Sequence, residues 1–476
     1  MHTRRSHTMA AGALLLATAL AGAAARGVGR SPGPTPAKGT ATFAAPPTGR
    51  VSFTGTLDRT AVLAGRNGIV RMELALRAAP TDPERAVRRP TDVVIILDRS
   101  GSMNGEKITH ARAAVRELLA QLSAQDRFAL VAYSDDAAVV APLAPVDERL
   151  RTGLLAAVAD IRPDGGTNMS SGLDLGLDVI ERGRAEGRVP HAILISDGLA
   201  NQGDASPEGL LRRARRAAQG EYMLSSVGVG EDFNEYLMTA LADAGTGNYY
   251  YLRDASELTG VFAREFDAAR TTVAAGLAVD IAPGAGVHVI DAAGYPLEPT
   301  DDGVRFHPGS LFAGQERRIW VTLALPAHPI GEYELGRFAL SYGDPNERTT
   351  IRFTDVPHIA SVQNDDEFYA HVDTGTWGRS VVSDLYNKMQ DEVAREVAAG
   401  HRDQALQRLR GFKDETAAMN AHLHSAPVVE ELRSADALEA QVSGAFEGAD
   451  QVQRRNELSK SMSARAVEGR RAGAKP

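Results

Sequence analysis

An apolar run at 93–97, Val-Val-Ile-Ile-Leu, halts at Asp98-Arg99-Ser100-Gly101-Ser102, and this step from strand to loop constrains the chain more than any other feature. A carboxylate and two hydroxyls at alternate positions turn toward one point only if the backbone curls sharply after the strand, and Gly101 permits such a curl. Their oxygens then suit a hard cation. Mg²⁺ takes near-octahedral oxygen coordination at about 2.0–2.1 Å and keeps several waters, so one short loop does not hold it alone. Two further donors are in the chain: Thr167, in Asp164-Gly165-Gly166-Thr167-Asn168, and Asp197, directly after the run 191–196. A lone D-x-S-x-S commonly just satisfies backbone donors in turns and caps. The ordered presence of Thr167 and Asp197 at strand or loop boundaries moves the reading to a metal site.

Around these residues strand-like runs alternate with helical patterns at short intervals. That arrangement predicts an α/β fold, a doubly wound and mostly parallel sheet with helices on both faces. Ile108, Ala111, Val115, Leu118, Leu119 and Leu122 keep helical spacing and a strand follows at 128–133. Leu150, Leu154, Leu155 and Val158 mark a second helix, and Leu173, Leu177 and Ile180 a third. Leu210, Leu211, Ala214 and Ala217 mark a fourth, with Pro207 in its first turn. Runs at 224–229 and 249–252 read as the last strands, and Leu258, Val261, Phe262 and Phe266 as a closing helix. Open α/β sheets bind ligands outside the carboxyl ends of their strands. Asp98 and Asp197 both follow strand-like runs, and Thr167 precedes a helix on the same edge, so three loops are predicted to meet at one rim.

In this order, Asp98-Arg99-Ser100-Gly101-Ser102, Gly166-Thr167 and Ser196-Asp197-Gly198 resemble the von Willebrand factor type A domain with a complete metal-ion-dependent adhesion site. The resemblance implies a Rossmann-like fold with Mg²⁺, or Mn²⁺ or Ca²⁺, held directly by the hydroxyls of Ser100, Ser102 and Thr167. Asp98 and Asp197 are then expected to hold it largely through water. Neutral hydroxyls leave much of the cation's charge uncompensated, so an open coordination position attracts an Asp or Glu carboxylate from a protein partner. The implied activity is binding, with no catalysis. Arg99 reads as surface. The specific motifs lie within 92–270; beyond them the layout resembles bacterial exported von Willebrand A proteins and, more distantly, the inter-α-trypsin inhibitor heavy chains and calcium-activated chloride channel regulators.

At 476 residues and 43% hydrophobic content the chain is long enough for two or three packed domains. Arg4 and Arg5 precede an Ala- and Leu-rich stretch, 9–25, in the layout of a secretory signal peptide, so 1–26 reads as a signal and the protein as exported, periplasmic or secreted to the cell surface. No later apolar segment is long enough to span a bilayer, and the absence of Cys excludes disulfides, thiolate metal sites and a thiol nucleophile. Residues 27–48 read as a flexible linker. Alternation at Val70, Met72, Leu74 and Leu76 returns at Ile319, Val321, Leu323 and Leu325, and continues through 333–342 and 349–353. This predicts a β-sandwich built from 49–88 and 272–358, with the metal-binding domain, 89–271, inserted into it. Helical periodicity occupies 359–463, including a hairpin punctuated by Gly400, and 464–476 reads as a disordered tail.

Other chemistries find less support. The Arg212, Arg213, Arg215, Arg216 run reads as a solvated helix face, and a net charge of −9 argues against nucleic acid as a partner. His422 and His424 lie on different helix faces and no H-E-x-x-H exists. Asn168-Met169-Ser170 is an accidental glycosylation sequon, and Asp135 and Asp136 read as a solvated loop pair near the rim. Ser100 has no assignable His base, so a metal-dependent hydrolase lacks its general base. An envelope assembly scaffold is the alternative to direct partner capture.

Overall fold

The computed structural model describes residues 41–46, 49–66, 68–80, 90–185, 187–197, 200–220, 222–229, 234–252, 272–343, 348–448 and 450–470. The expected signal peptide, the linker up to residue 40, the closing helix at 258–266 and residues 471–476 lie outside them. Strands β1 (Thr42–Ala44), β2 (Val51–Leu57), β3 (Ala61–Leu63) and β4 (Ile69–Ala78) come first. An α/β layer follows, with β5 (Thr91–Asp98), β6 (Arg127–Tyr133), β7 (Ala137–Pro145), β8 (Val189–Ser196), β9 (Met223–Val229) and β10 (Thr246–Leu252). Its helices are α1 (Glu106–Gln121), α2 (Glu148–Asp160), α3 (Met169–Arg182), α4 (Pro207–Gln219) and α5 (Glu235–Ala244).

These six strands form one sheet in the order β10-β9-β8-β5-β6-β7, parallel throughout except that β7 runs antiparallel to β6. β5 is central and every one of its residues is buried. That is why 93–97 is apolar without alternation: a parallel strand covered on both faces has no solvent side. Val93, Ile95 and Leu97 pack with Ile108, Val115 and Leu154 on the α1 and α2 face, while Val94 and Ile96 pack with Leu173, Leu177 and Leu210 on the α3 and α4 face. The antiparallel edge strand β7 is absent from the sequence reading because its half-exposed residues carry little periodic signal. Arg213 and Arg216 are not a free solvated face. Arg213 reaches Asp174 at 2.9 Å and Arg216 reaches Asp178 and Glu181 at 2.6 Å, tying α4 to α3.

Beyond this layer come β11 (Thr272–Pro283), β12 (His288–Ala292), β13 (Glu298–Thr300), β14 (Gly303–Phe312), β15 (Glu316–Ala324), β16 (Glu332–Glu334), β17 (Gly336–Gly343), β18 (Arg348–Arg352) and β19 (His358–Val362). Two sheets, β1-β2-β4-β15-β12 and β13-β14-β11-β17-β18, enclose one apolar core that includes Phe53, Met72, Leu74, Phe306, Val321 and Phe338. β4 and β15 pair antiparallel from Ile69 opposite Ala324 to Arg77 opposite Glu316, so strands from both sides of the α/β layer share a ladder. Three details depart from the sequence reading. β1 lies inside the stretch expected to be linker, where it satisfies the edge of β2 with Thr42 opposite Thr56. The alternation at 333–342 divides at Gly336, whose φ of 121° breaks the strand and sends β16 and β17 to different sheets. β15 is buried on both faces, because helices cover the face expected to be wet; Trp320 is 3% exposed.

Those helices are α6 (Asp365–Ala370), α7 (Thr374–Ser380), α8 (Tyr386–Ala399), α9 (Arg402–Leu423), α10 (Ala426–Ala445) and α11 (Gln451–Arg470), with a π-helical turn at Val381–Leu385 before α8. Gly400, at φ 82°, ends α8 in the left-handed conformation that favours glycine. Met389, Val393, Val397, Leu406, Leu409, Leu438, Val442 and Met462 form their common core, so the hairpin of the sequence reading is part of a larger bundle. The stretch 464–476, read as a disordered tail, is helical as far as Arg470, because Met462 and Ala466 are buried and anchor its last turns.

α3 crosses β5 closely. A Cβ built on Gly176 would lie 2.4 Å from Cδ1 and Cγ1 of Ile96. Gly176→Ala is therefore expected to destabilise the protein by about 1–3 kcal/mol through overpacking, read as a lower urea midpoint with an unchanged m-value.

Candidate functional site

At the carboxyl edge of the sheet β5 ends at Asp98, and the chain turns through a 3₁₀ segment, Gly101–Met103, into α1. The left-handed residues of this rim are Gly105 (φ 85°) and Gly165 (φ 74°); Gly101 is not among them. Gly101 serves by close approach instead: its N–H donates to the Gly165 carbonyl at 3.0 Å. Arg99, half-buried, donates its N–H to the Tyr133 carbonyl at 2.8 Å, and Asp164 N–H donates to the Arg99 carbonyl at 2.9 Å. These bonds bind the Asp98 loop to the end of β6 and to the loop carrying Thr167.

Asp98 has no solvent exposure. Its Oδ1 accepts the Ser100 N–H at 2.8 Å, and its Oδ2 accepts Ser196 Oγ at 2.7 Å and Tyr133 OH at 3.3 Å. Asp197 is 1% exposed; its Oδ1 accepts Ser102 Oγ at 2.9 Å and its Oδ2 is paired with Lys107 Nζ. Ser100 Oγ and Ser102 Oγ lie 3.1 Å apart, so four of the five predicted residues form one hydrogen-bonded chain. The fifth, Thr167, reaches the same rim through its backbone. Its N–H donates to Asn201 Oδ1 at 2.9 Å and its carbonyl accepts the Asn201 N–H at 3.1 Å, while its hydroxyl has no hydrogen-bond partner among the described residues. Gly198, the last residue of the third motif, is outside the described residues.

Asp135 is not idle. Its Oδ1 accepts from Gly166 N–H at 2.7 Å and from Gln202 Nε2 at 2.6 Å, and it crowds Gly165, where a Cβ would lie 2.5 Å from its Oδ2. It fixes the glycine loop that carries Thr167. Asn168 is likewise occupied: its Oδ1 caps α3 by accepting the Ser171 N–H, and its Nδ2 donates to the Asp135 carbonyl. Ser196, Tyr133, Lys107, Asn201 and Asp135 are the functional neighbours that sequence reasoning missed as parts of the site. Two had a local signal: Ser196 stands beside Asp197 in the third motif, and Asp135 read as a solvated loop residue near the rim.

Burial raises the Asp98 pKa above its usual 3.8, opposed by the hydrogen bonds from Ser196 and Ser100 and reinforced by the negative charge of Asp197. Tyr133 is driven well above its usual value, first by burial and then by Asp98, and so remains a donor at physiological pH. Two buried carboxylates thus repel one another at a rim where Ser102 is exposed to solvent. The converging donors are carboxylate and hydroxyl oxygens, a set that fits a hard divalent cation and is unlike the nitrogen and sulfur ligands of zinc. Among the described residues no group of three or more His, Cys, Asp or Glu has metal-holding geometry.

Residues 92–264 match the model of the von Willebrand factor type A domain. The uncharacterized protein sll0103 of Synechocystis is 26% identical over 308 residues, covering 62% of this chain and 71% of that protein. YfbK of Escherichia coli is 29% identical over 186 residues, and human inter-alpha-trypsin inhibitor heavy chain H4 is 31% identical over 166 residues; the chain spans 32% and 18% of their lengths. Among solved structures, a von Willebrand factor type A protein from Catenulispora acidiphila has a TM-score of 0.66 at 19% identity, covering 88% of this chain and 97% of that one. The ArnB paralog VWA2 from Sulfolobus acidocaldarius has a TM-score of 0.56 at 16% identity, covering 89% and 99%. At these identities the two structures establish the shared fold, including the flanking sheets and helices.

Two outcomes follow from the electrostatics in chelator. Lys107→Met leaves Asp197 buried without its cation and is expected to cost roughly 2–3 kcal/mol, somewhat less than the 3–5 of a fully buried pair, read by urea denaturation at neutral pH. Because the folded state holds the Asp98 proton more tightly than the unfolded chain, ionising Asp98 destabilises the fold. The stability of the parent relative to Asp98→Asn should therefore rise as pH falls through the raised folded pKa toward 3.8, and a pH-independent difference would contradict that assignment.

Proposed function

Since residues 92–264 form a von Willebrand factor type A domain, we propose that the protein is a metal-dependent binding module that captures an acidic residue of a partner protein. The observation that carries this reading is the pairing of two buried carboxylates, Asp98 and Asp197, with a solvent-exposed Ser102 at the carboxyl edge of the sheet. Ser100, Ser102 and Thr167 would hold Mg²⁺, Mn²⁺ or Ca²⁺ by their hydroxyls, with Asp98 and Asp197 acting through water. When bound, the cation supplies a coordination position for a carboxylate oxygen of the partner.

The chain's own residues do the remaining work. Ser196 and Tyr133 hold Asp98 in one orientation through its Oδ2, which leaves Oδ1 to the Ser100 N–H and the loop. Asp135 and Asn201 hold the Thr167 loop at the rim. Such outer partners commonly matter to metal affinity by roughly 10–100-fold. Ser100 Oγ is bonded to Ser102 Oγ and not to an imidazole, which favours binding over nucleophilic catalysis.

Export completes the proposal: the basic and apolar start of the chain carries it, and a partner in the envelope or at the cell surface follows. Among the described residues no helix is long and apolar enough to cross a membrane.

Calorimetric titration with Mn²⁺ tests the metal reading. Ser100→Ala and Asp98→Ala are expected to weaken binding at least about tenfold while circular dichroism stays that of the parent. Affinity capture from the native envelope should retain the partner in Mg²⁺ and release it in chelator; capture that persists undiminished in chelator would refute the function.

A further inference from the structure

Far from the metal rim, a cavity of about 610 Å³ opens where the sandwich meets the helical bundle. Its volume is that of a small-molecule site, about 300–1,000 Å³. Trp320 of β15 and Val382 of the π turn form its apolar wall, and Gly375 on α7 leaves its mouth clear; a Cβ there would meet nothing closer than 3.6 Å. The charged residues lining it are Arg318, Arg379 and Glu73.

These charges do not balance. Glu73 accepts Arg318 Nη1 at 3.0 Å and Arg379 Nη2 at 2.9 Å, and Glu316 accepts Arg318 Nη2 at 2.8 Å and Arg77 Nε at 3.0 Å. Three guanidinium groups thus share two carboxylates. Arg379 Nη1 has no hydrogen-bond partner among the described residues, and it lies 3.8 Å from a Cβ built on Gly375, at the mouth. The amino terminus of α10 opens on the same cavity through Ser425, Ala426 and Pro427. Ser425 is the cap position, yet its hydroxyl makes no capping bond and has no partner among the described residues, although the residue is only 6% exposed. Ser425 lines the cavity, so its hydroxyl is available to a ligand there.

We propose that this cavity binds an organic anion, a carboxylate on an extended apolar body. The carboxylate lies between Arg379, the Ser425 hydroxyl and the positive end of the α10 dipole, and the apolar body lies against Trp320 and Val382. Neither half of the site suffices alone. The arginines are already engaged with Glu73, so a bare inorganic anion gains too little there, and an uncharged chain brings no charge to pair with Arg379.

Tryptophan fluorescence and calorimetry of the full chain with decanoate, decanol and inorganic phosphate test this. Saturable binding of decanoate at one site per chain is expected, accompanied by a change in tryptophan emission. Decanol and phosphate should each bind at least about tenfold more weakly, the tenfold corresponding to 1.4 kcal/mol. Arg379→Gln and Ser425→Ala should each weaken decanoate binding. Gly375→Leu, which fills the mouth beside Arg379 Nη1 and leaves the Glu73 bonds to Nε and Nη2 in place, should abolish it with the melting temperature retained, so a folding defect in Arg379→Gln does not leave the matter open. Decanol or phosphate binding as tightly as decanoate, unaltered decanoate affinity in Gly375→Leu, or no saturable decanoate binding would each overturn the proposal.

Discussion

A carboxylate without solvent exposure, at the end of a strand without solvent exposure, is the condition around which the α/β layer is arranged. Asp98 lies where β5 leaves the sheet, and its charge has to be met by hydrogen bonds from three elements: Ser100 in its own loop, Tyr133 on β6 and Ser196 on β8. Both neighbouring strands run parallel to β5, which is why their carboxyl ends arrive together. The second buried carboxylate, Asp197, follows one residue after Ser196, so the same register that satisfies Asp98 also brings a like charge near it. Lys107 on α1 offsets part of that repulsion.

The sandwich solves a different problem. An inserted domain needs its two ends held close, and the β4–β15 ladder does this by pairing chain that precedes the α/β layer with chain that follows it. The outer face of that ladder is then covered by helices. Trp320 donates to Ser383 Oγ at 2.8 Å, and Glu73 binds Arg379, so polar groups on this face find partners across the junction. The large cavity is where this coverage is incomplete.

Much was legible before any coordinates. The apolar run at 93–97 indicated a strand, the alternation of strand and helix patterns indicated a sheet covered on both faces, and helical spacing at Leu173, Leu177 and Ile180 located the residues that pack on Ile96 and Val94. Alternation in 70–77 and 318–325 indicated strands of one sandwich, and the two pair directly. It misled on one point: alternation reports which face meets the sandwich core, and says nothing of what covers the other, so Trp320 reads as exposed while being buried. The edge strands β1 and β7 and the helical end of α11 were not legible, because each owes its conformation to a neighbour and not to its own pattern.

The candidate site divides in the same way. By itself the sequence determined the donor types and their order, Asp98, Ser100, Ser102, Thr167 and Asp197, because oxygen chemistry and position after a strand are local properties. Only the tertiary structure decided what surrounds them. Ser196, Tyr133, Asn201 and Lys107 lie between 34 and 98 residues from the donors they contact, and Asp135 lies 31 residues from the Gly166 it holds. No spacing rule reaches that far; parallel strand register and loop closure do, since they place distant residues at one edge of one sheet.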